Sequence, residues 1–124
     1  MTNRQNKRVV ITGLGAITPI GKNLADYWDS LLQGRSGVGA VTLFDASEHA
    51  CQIAAEVKNF DPHEYLDKKD AKRMDRFAQF GVCASIQAIA DAQLEINELN
   101  ADRVGVLIGT GVGGLRVMET QNET

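Results

Sequence analysis

Two apolar runs and two helical repeats organise the hydrophobic pattern. Val9-Val10-Ile11 is a short β-branched run, and Val104 to Ile108 is a second apolar run. Each has the composition of a strand buried on both faces. Glycines follow each run at once, Gly13 and Gly15 after the first and Gly109, Gly111, Gly113 and Gly114 after the second. They let the backbone turn or approach a neighbour closely. Pro19 and Gly21 delay the helix that follows. Leu24, Tyr27, Trp28, Leu31 and Leu32 recur at helical spacing and predict a helix over 23–33, with Asn23 as its cap, Gly34 past its end and Trp28 in the core. Strand, glycine turn and helix in that order predict an α/β class.

The middle of the chain is less periodic. Val41 to Phe44 and Ile53 to Val57 read as short strands. Asp61-Pro62 is a helix-start signal, predicting a brief helix through Tyr65 and Leu66. A long helix is predicted over about 70–94, roughly 36 Å at 1.5 Å per residue. Its second half has few polar residues, namely Gln79, Ser85, Gln87 and Asp91. Gly81, Ala84 and Ala88 are small and nearly aligned, which predicts close packing by another helix. Leu115 to Thr124 begins another helical stretch.

The first half of the long helix is charged. Lys69, Lys72, Arg73 and Arg76 fall at i, i+3, i+4 and i+7 and share one face if the helix includes Lys69. Asp70 and Asp75 offset part of this charge. The row reads either as a solvated face or as a docking patch for an acidic partner.

Composition narrows the field. The chain has 124 residues, 44% hydrophobic and 23% charged, as expected of one globular unit. Its formal net charge of −3 argues against general nucleic-acid binding. No apolar run has the length of a membrane span, and Met1 to Arg8 lack a signal-peptide pattern, so a cytoplasmic setting is expected. Cys51 and Cys83 make no metal spacing and read as reduced thiols. His49 lies two residues before Cys51, but neighbours in sequence need not face one another, and the pair reads as incidental. Gly109, Gly111 and Gly114 satisfy GxGxxG after an apolar run, a partial dinucleotide-binding fingerprint whose acidic ribose ligand would stand further along than residue 124.

The stretch RVVITGLGAITPIG, followed by YWDSLLQGRSGV, resembles the amino-terminal end of the β-ketoacyl-acyl-carrier-protein synthases, closest to the elongating synthase II group of type II fatty acid synthesis. The resemblance implies an acyltransferase of lipid metabolism with a thiolase-like, five-layered α-β-α-β-α fold. Residues 1–124 would then form part of its amino-terminal half, with no second domain. The implied reaction is decarboxylative condensation of malonyl carrier protein with an acyl thioester, without metal, nicotinamide or flavin. The segment KDAKRMDRF resembles the family's carrier-contacting segment, which implies that Lys69, Lys72 and Arg73 bind acyl carrier protein, acyl- and malonyl-loaded. GTGVGG resembles the segment beside the acyl cavity, which implies that Val112 faces the growing chain. The family's nucleophilic cysteine and two histidines lie beyond residue 124, so the resemblance places no catalytic residue here, and Cys51, Cys83, His49 and His63 fall outside those motifs. The resemblance also implies a homodimer at full length. Two alternatives remain open: a non-catalytic fragment that binds carrier protein through the basic helix, and a small dinucleotide-binding protein. An isolated chain with unpaired strand edges is expected to fold poorly.

Overall fold

A computed structural model describes residues 7–122. The organising element is a helix of sixteen residues, and the elements are taken in chain order around it. Helix α1 spans Leu24–Leu32, strand β1 Val38–Ala40 and strand β2 Ile53–Ala55. A 3-10 turn over Pro62–Glu64 precedes α2 (Lys68–Arg73) and α3 (Arg76–Asp91). A second 3-10 turn at Ala101–Arg103 and helix α4 (Leu115–Asn122) complete the order.

Helix α3 carries a stripe of small residues that receives two non-helical segments rather than a helix. Gly13 lies against Ala88 and Ala92, and Gly15 against Ala84 and Ala88. A Cβ on Gly13 would stand 2.5 Å from the Ala92 nitrogen and overlap the Ala88 carbonyl oxygen. One on Gly15 would stand 2.9 Å from the Ala88 nitrogen and overlap the Ala84 carbonyl oxygen. Two residues of this segment thus advance about one turn along α3, or roughly 6 Å, which requires near-extended backbone. The segment is also hydrogen-bonded to the helix. Asp91 Oδ2 accepts from the Leu14 amide at 2.8 Å, and Gln87 Oε1 accepts from the Ala16 amide at 3.1 Å. The Gln87 amide nitrogen donates onward to Lys22 O at 2.7 Å and to the Tyr65 hydroxyl at 2.9 Å.

One turn nearer the helix start, Gly81 faces Ile108, and Phe77 packs on Gly113. Residue number falls along α3 as it rises in both partner segments. Both therefore run antiparallel to α3 and in the same sense as each other.

The apolar runs themselves correct the sequence reading. Neither 9–11 nor 104–108 forms a strand ladder among the described residues. Val9 is 92% and Leu107 98% exposed. Strand assignment needs a hydrogen-bonded neighbour; the first segment is seated on α3 by Gly13 and Gly15 and the second by Ile108 on Gly81, while Val9, Val10, Ile11, Val106 and Leu107 stay exposed. Helix α1 shows the same feature. Asn23 caps it, Asn23 Oδ1 accepting from the Asp26 amide at 2.9 Å, and Gly34 follows with φ of +62°. Trp28, expected in the core, is 58% exposed, and Leu31 and Leu32 are exposed with it. The inner side of α1 is anchored instead by buried Ser30, whose hydroxyl donates to Ile20 O at 2.6 Å.

Strands β1 and β2 pair antiparallel, Val38 with Ala55, Gly39 with Ala54 and Ala40 with Ile53. The predicted strand at Val41 to Phe44 is thus displaced towards the amino terminus. Buried Glu56 is the cause. Its carboxylate accepts from the Thr42 amide (2.8 Å), the Thr42 hydroxyl (2.6 Å) and the Leu43 amide (3.1 Å), which removes those amides from any ladder. Hydrogen bonds from the Thr42 hydroxyl and amide hold the Glu56 carboxyl below its usual value, aided by Leu43 and the charge of Lys58 and opposed by burial. Asp61 caps the 3-10 turn as its sequence signalled, although that turn ends at Glu64. Among the described residues no helix is long and apolar enough to cross a membrane.

Two outcomes are expected. Gly15→Ala lowers hydrogen-exchange protection of the Leu14 and Ala16 amides by ~10-fold or more, the scale of overpacking a tight contact. Gly39→Ala, which meets open space, leaves that protection unchanged. Because the folded Glu56 pKa is depressed, its contribution is complete above the ordinary glutamate range and is lost as pH falls through the depressed value. Protection factors at Thr42 and Leu43 therefore fall on acidification, and Glu56→Gln flattens that pH dependence.

Candidate carrier-docking helix and acyl-side loop

Helix α2 is six residues long and capped at its start by Asp67, whose Oδ1 accepts from the Lys69 and Asp70 amides, each at 2.8 Å. Only Ala71 of this helix is buried. At 100° per residue, Lys69 and Arg73 stand opposite Ala71, and Lys72 stands beside them. All three side chains are exposed, and none forms an ion pair among the described residues. Lys68, exposed in the same helix, extends the patch. Its signal in the sequence is the Lys68-Lys69 pair just after a capping aspartate.

Arg76 does not join this row, contrary to the expectation of one continuous helix. Met74 and Asp75 are extended, with ψ of 134° and 159°, and separate α2 from α3. Asp75 caps α3, accepting from the Arg76 amide at 2.6 Å. The break turns the Arg76 side chain inward. Its guanidinium donates to Val57 O and lies over the rings of Phe80 and Phe60, 5.0 and 5.8 Å from their centroids. Those rings meet edge to face at 4.9 Å. Arg76 is a structural cation that ties α3 to the segment after β2.

The glycine loop packs on α3 at Phe77. Val112 is 76% exposed. Its neighbour Gly113 is held against Phe77, where a Cβ would stand 2.6 Å from ring atoms. Gly114, with φ of +77°, opens α4, accepting from the Met118 amide at 2.9 Å. An apolar hollow of about 340 Å³ lies between this loop and α3, lined by Phe77, Phe80, Gly81, Val82, Ile108 and Thr110 among others. Val112 is not part of its lining. The glycines of this loop divide in use: Gly113 and Gly114 serve packing and turning, while Gly109 and Gly111 meet open space.

The two cysteines differ sharply. Cys83 is fully buried, and burial, with the Glu64 charge second, pushes its thiol up from the ordinary value. Cys51 is exposed and donates weakly to Ile53 O at 3.5 Å. His49 meets Phe44 edge to face at 5.5 Å and makes no hydrogen bond to Cys51 among the described residues. A second hollow, of about 410 Å³ beside α1, mixes Lys22, Arg35 and Lys58 with Asp26 and Asp29, so it has no single charge preference. No group of three or more potential metal ligands occurs among the described residues.

Comparison with known proteins places this arrangement. The chain is 64% identical over 121 residues to 3-oxoacyl-[acyl-carrier-protein] synthase 2 of Synechocystis sp., covering 98% of the chain and 29% of that protein. It is 48% identical over 115 residues to the Staphylococcus aureus (strain COL) protein of the same name, covering 93% and 28%. The chain thus spans under a third of the length of these relatives. A β-ketoacyl synthase structure from Burkholderia phymatum superposes with a TM-score of 0.71 at 30% identity, over 95% of this chain and 30% of that one. The ishigamide ketosynthase/chain length factor superposes with a TM-score of 0.61 at 35% identity, over 69% and 21%. The fold is therefore an incomplete amino-terminal part of the thiolase-like α/β fold of ketosynthases. Residues 6–124 match the family described as "Beta-ketoacyl synthase, N-terminal domain", and the chain belongs to that family.

Proposed function

We propose that this chain is the amino-terminal part of a 3-oxoacyl-[acyl-carrier-protein] synthase acting in fatty acid elongation. The observation that carries the reading is the exposed set Lys69, Lys72 and Arg73, unpaired among the described residues and placed on the outer side of α2. These cations suit the acidic surface of an acyl carrier protein, loaded with acyl or malonyl groups. The relatives' name, which includes that carrier, supports the same choice.

In the proposed reaction a thiolate takes the acyl group from the carrier thioester and releases the carrier thiol. Malonyl carrier protein then loses carbon dioxide. The carbanion left behind attacks the acyl-enzyme thioester, frees the enzyme thiol and leaves a chain two carbons longer. Two histidines aid decarboxylation and stabilise developing negative charge. That cysteine and those histidines belong to the part of the protein beyond residue 124. The burial of Cys83 and its raised thiol pKa fit a packing role. The chemistry calls for no metal, nicotinamide or flavin. A cytoplasmic homodimer is the proposed setting, residues 1–124 forming part of the first half of each protomer. Val112 is proposed to border the acyl chain once the rest of the cavity wall is in place.

A second reading keeps only the docking: residues 1–124 as a non-catalytic carrier-binding segment. The same patch favours it, and condensing activity in the whole gene product separates the two.

Two results are expected. Combined reversal of Lys69, Lys72 and Arg73 to glutamate weakens carrier binding by about tenfold or more and flattens its salt dependence, as summed exposed ion pairs imply. Unchanged affinity in a binding titration contradicts the docking reading. Val112→Phe lowers kcat/KM for long acyl groups relative to short ones by ~10-fold or more, the scale set by added bulk in an apolar pocket. An unaltered long-to-short ratio removes Val112 from the acyl wall.

A further inference from the structure

Helix α2 cannot hold its own position. It has six residues, well below the ~12 that make an isolated helix even marginal in water. Asp67 supplies its first turn with acceptors, but its last carbonyls need donors from elsewhere. One side chain on α3 supplies two donors to that end. The Gln79 amide nitrogen donates to Ala71 O at 2.9 Å and to Met74 O at 3.3 Å. Its two N–H groups thus reach one carbonyl inside α2 and one at its cap, across the extended break. Gln79 sits one turn into α3, where the Arg76 guanidinium is already fixed by Val57 O and the two aromatic rings. Among the described residues, no other side-chain hydrogen bond links α3 to α2.

We infer that Gln79 is a positioning residue for carrier docking: its carboxamide clamps the carboxyl end of α2 to α3 and so fixes the direction in which Lys69, Lys72 and Arg73 are presented. This rests on the docking reading above. Gln79 touches neither the carrier nor any reacting atom. The chemistry demands a double donor at this site. Glutamate has nearly the same shape, yet it would place a carboxylate against two carbonyl oxygens. Methionine has similar volume and no donor.

The test uses the whole gene product with acyl carrier protein as the probe. Gln79→Met and Gln79→Glu are compared with the unaltered protein and with Lys72→Glu. Carrier affinity is measured by titration, and kcat and KM are measured for a carrier-borne thioester and for a small pantetheine thioester. Each Gln79 variant is expected to raise Kd and carrier-substrate KM by roughly 3- to 10-fold, the size of one net hydrogen bond. Turnover should stay within about twofold, and KM for the small thioester should not change. A general packing role would instead impair both substrates together, and that result overturns the inference. If Lys72→Glu weakens docking while both Gln79 variants bind normally, the inference fails and the docking reading stands. If Lys72→Glu has no effect, the docking reading falls and takes the inference with it. Should the variants fail to fold, the unaltered protein still decides. Slow exchange of the Gln79 side-chain amide protons supports the clamp, and exchange as fast as in free glutamine refutes it.

Discussion

The close approach of residues 13–15 to helix α3 is the constraint on which the rest depends. Glycine is required because the space for a side chain at Gly13 and Gly15 is occupied by backbone of the helix itself. Contact this close brings the Leu14 and Ala16 amides within reach of Asp91 and Gln87, which stand one turn apart on the same helix. Gln87 then holds Lys22 O and the Tyr65 hydroxyl as well. One polar side chain in a mostly apolar helix therefore joins three separate parts of the chain. Both ends of this half-buried amide are engaged.

From that seat the structure extends towards the amino end of α3. Ile108 on Gly81 and Phe77 on Gly113 place the glycine loop along the same stripe. Arg76 and Gln79 fix the first turn of α3 to its surroundings and to α2. Packing, loop placement and the presentation of the basic patch are thus consequences of how one helix is held. Net charge describes the patch poorly: the chain carries −3 overall, yet α2 gathers four exposed cations in six residues.

Local signals survived in the structure where the physics was local. Asn23 and Gly34 bound α1 because capping and a positive φ involve only a few neighbouring residues. Asp61-Pro62 opened a turn for the same reason. Tertiary choices were hidden. The periodicity over 70–94 hides a break, because Asp75 reads equally as a mid-helix charge and as a cap. The stripe at Gly81, Ala84 and Ala88 announces a close neighbour without saying that the neighbour is a glycine segment of the same chain. The displaced strand follows from the Glu56 carboxylate capturing two amides fourteen and thirteen residues away, which no local pattern encodes. The basic residues of the candidate site were legible as a motif. Their separation from Arg76, and the clamp that aims them, were not.

The most direct test of the account is a structure of acyl carrier protein bound to the whole gene product. The account predicts the carrier's acidic face on Lys69, Lys72 and Arg73, with Arg76 still lying over Phe60 and Phe80 and residues 13–15 still seated on α3. A carrier bound elsewhere, with α2 covered by other parts of the same protein, would contradict it.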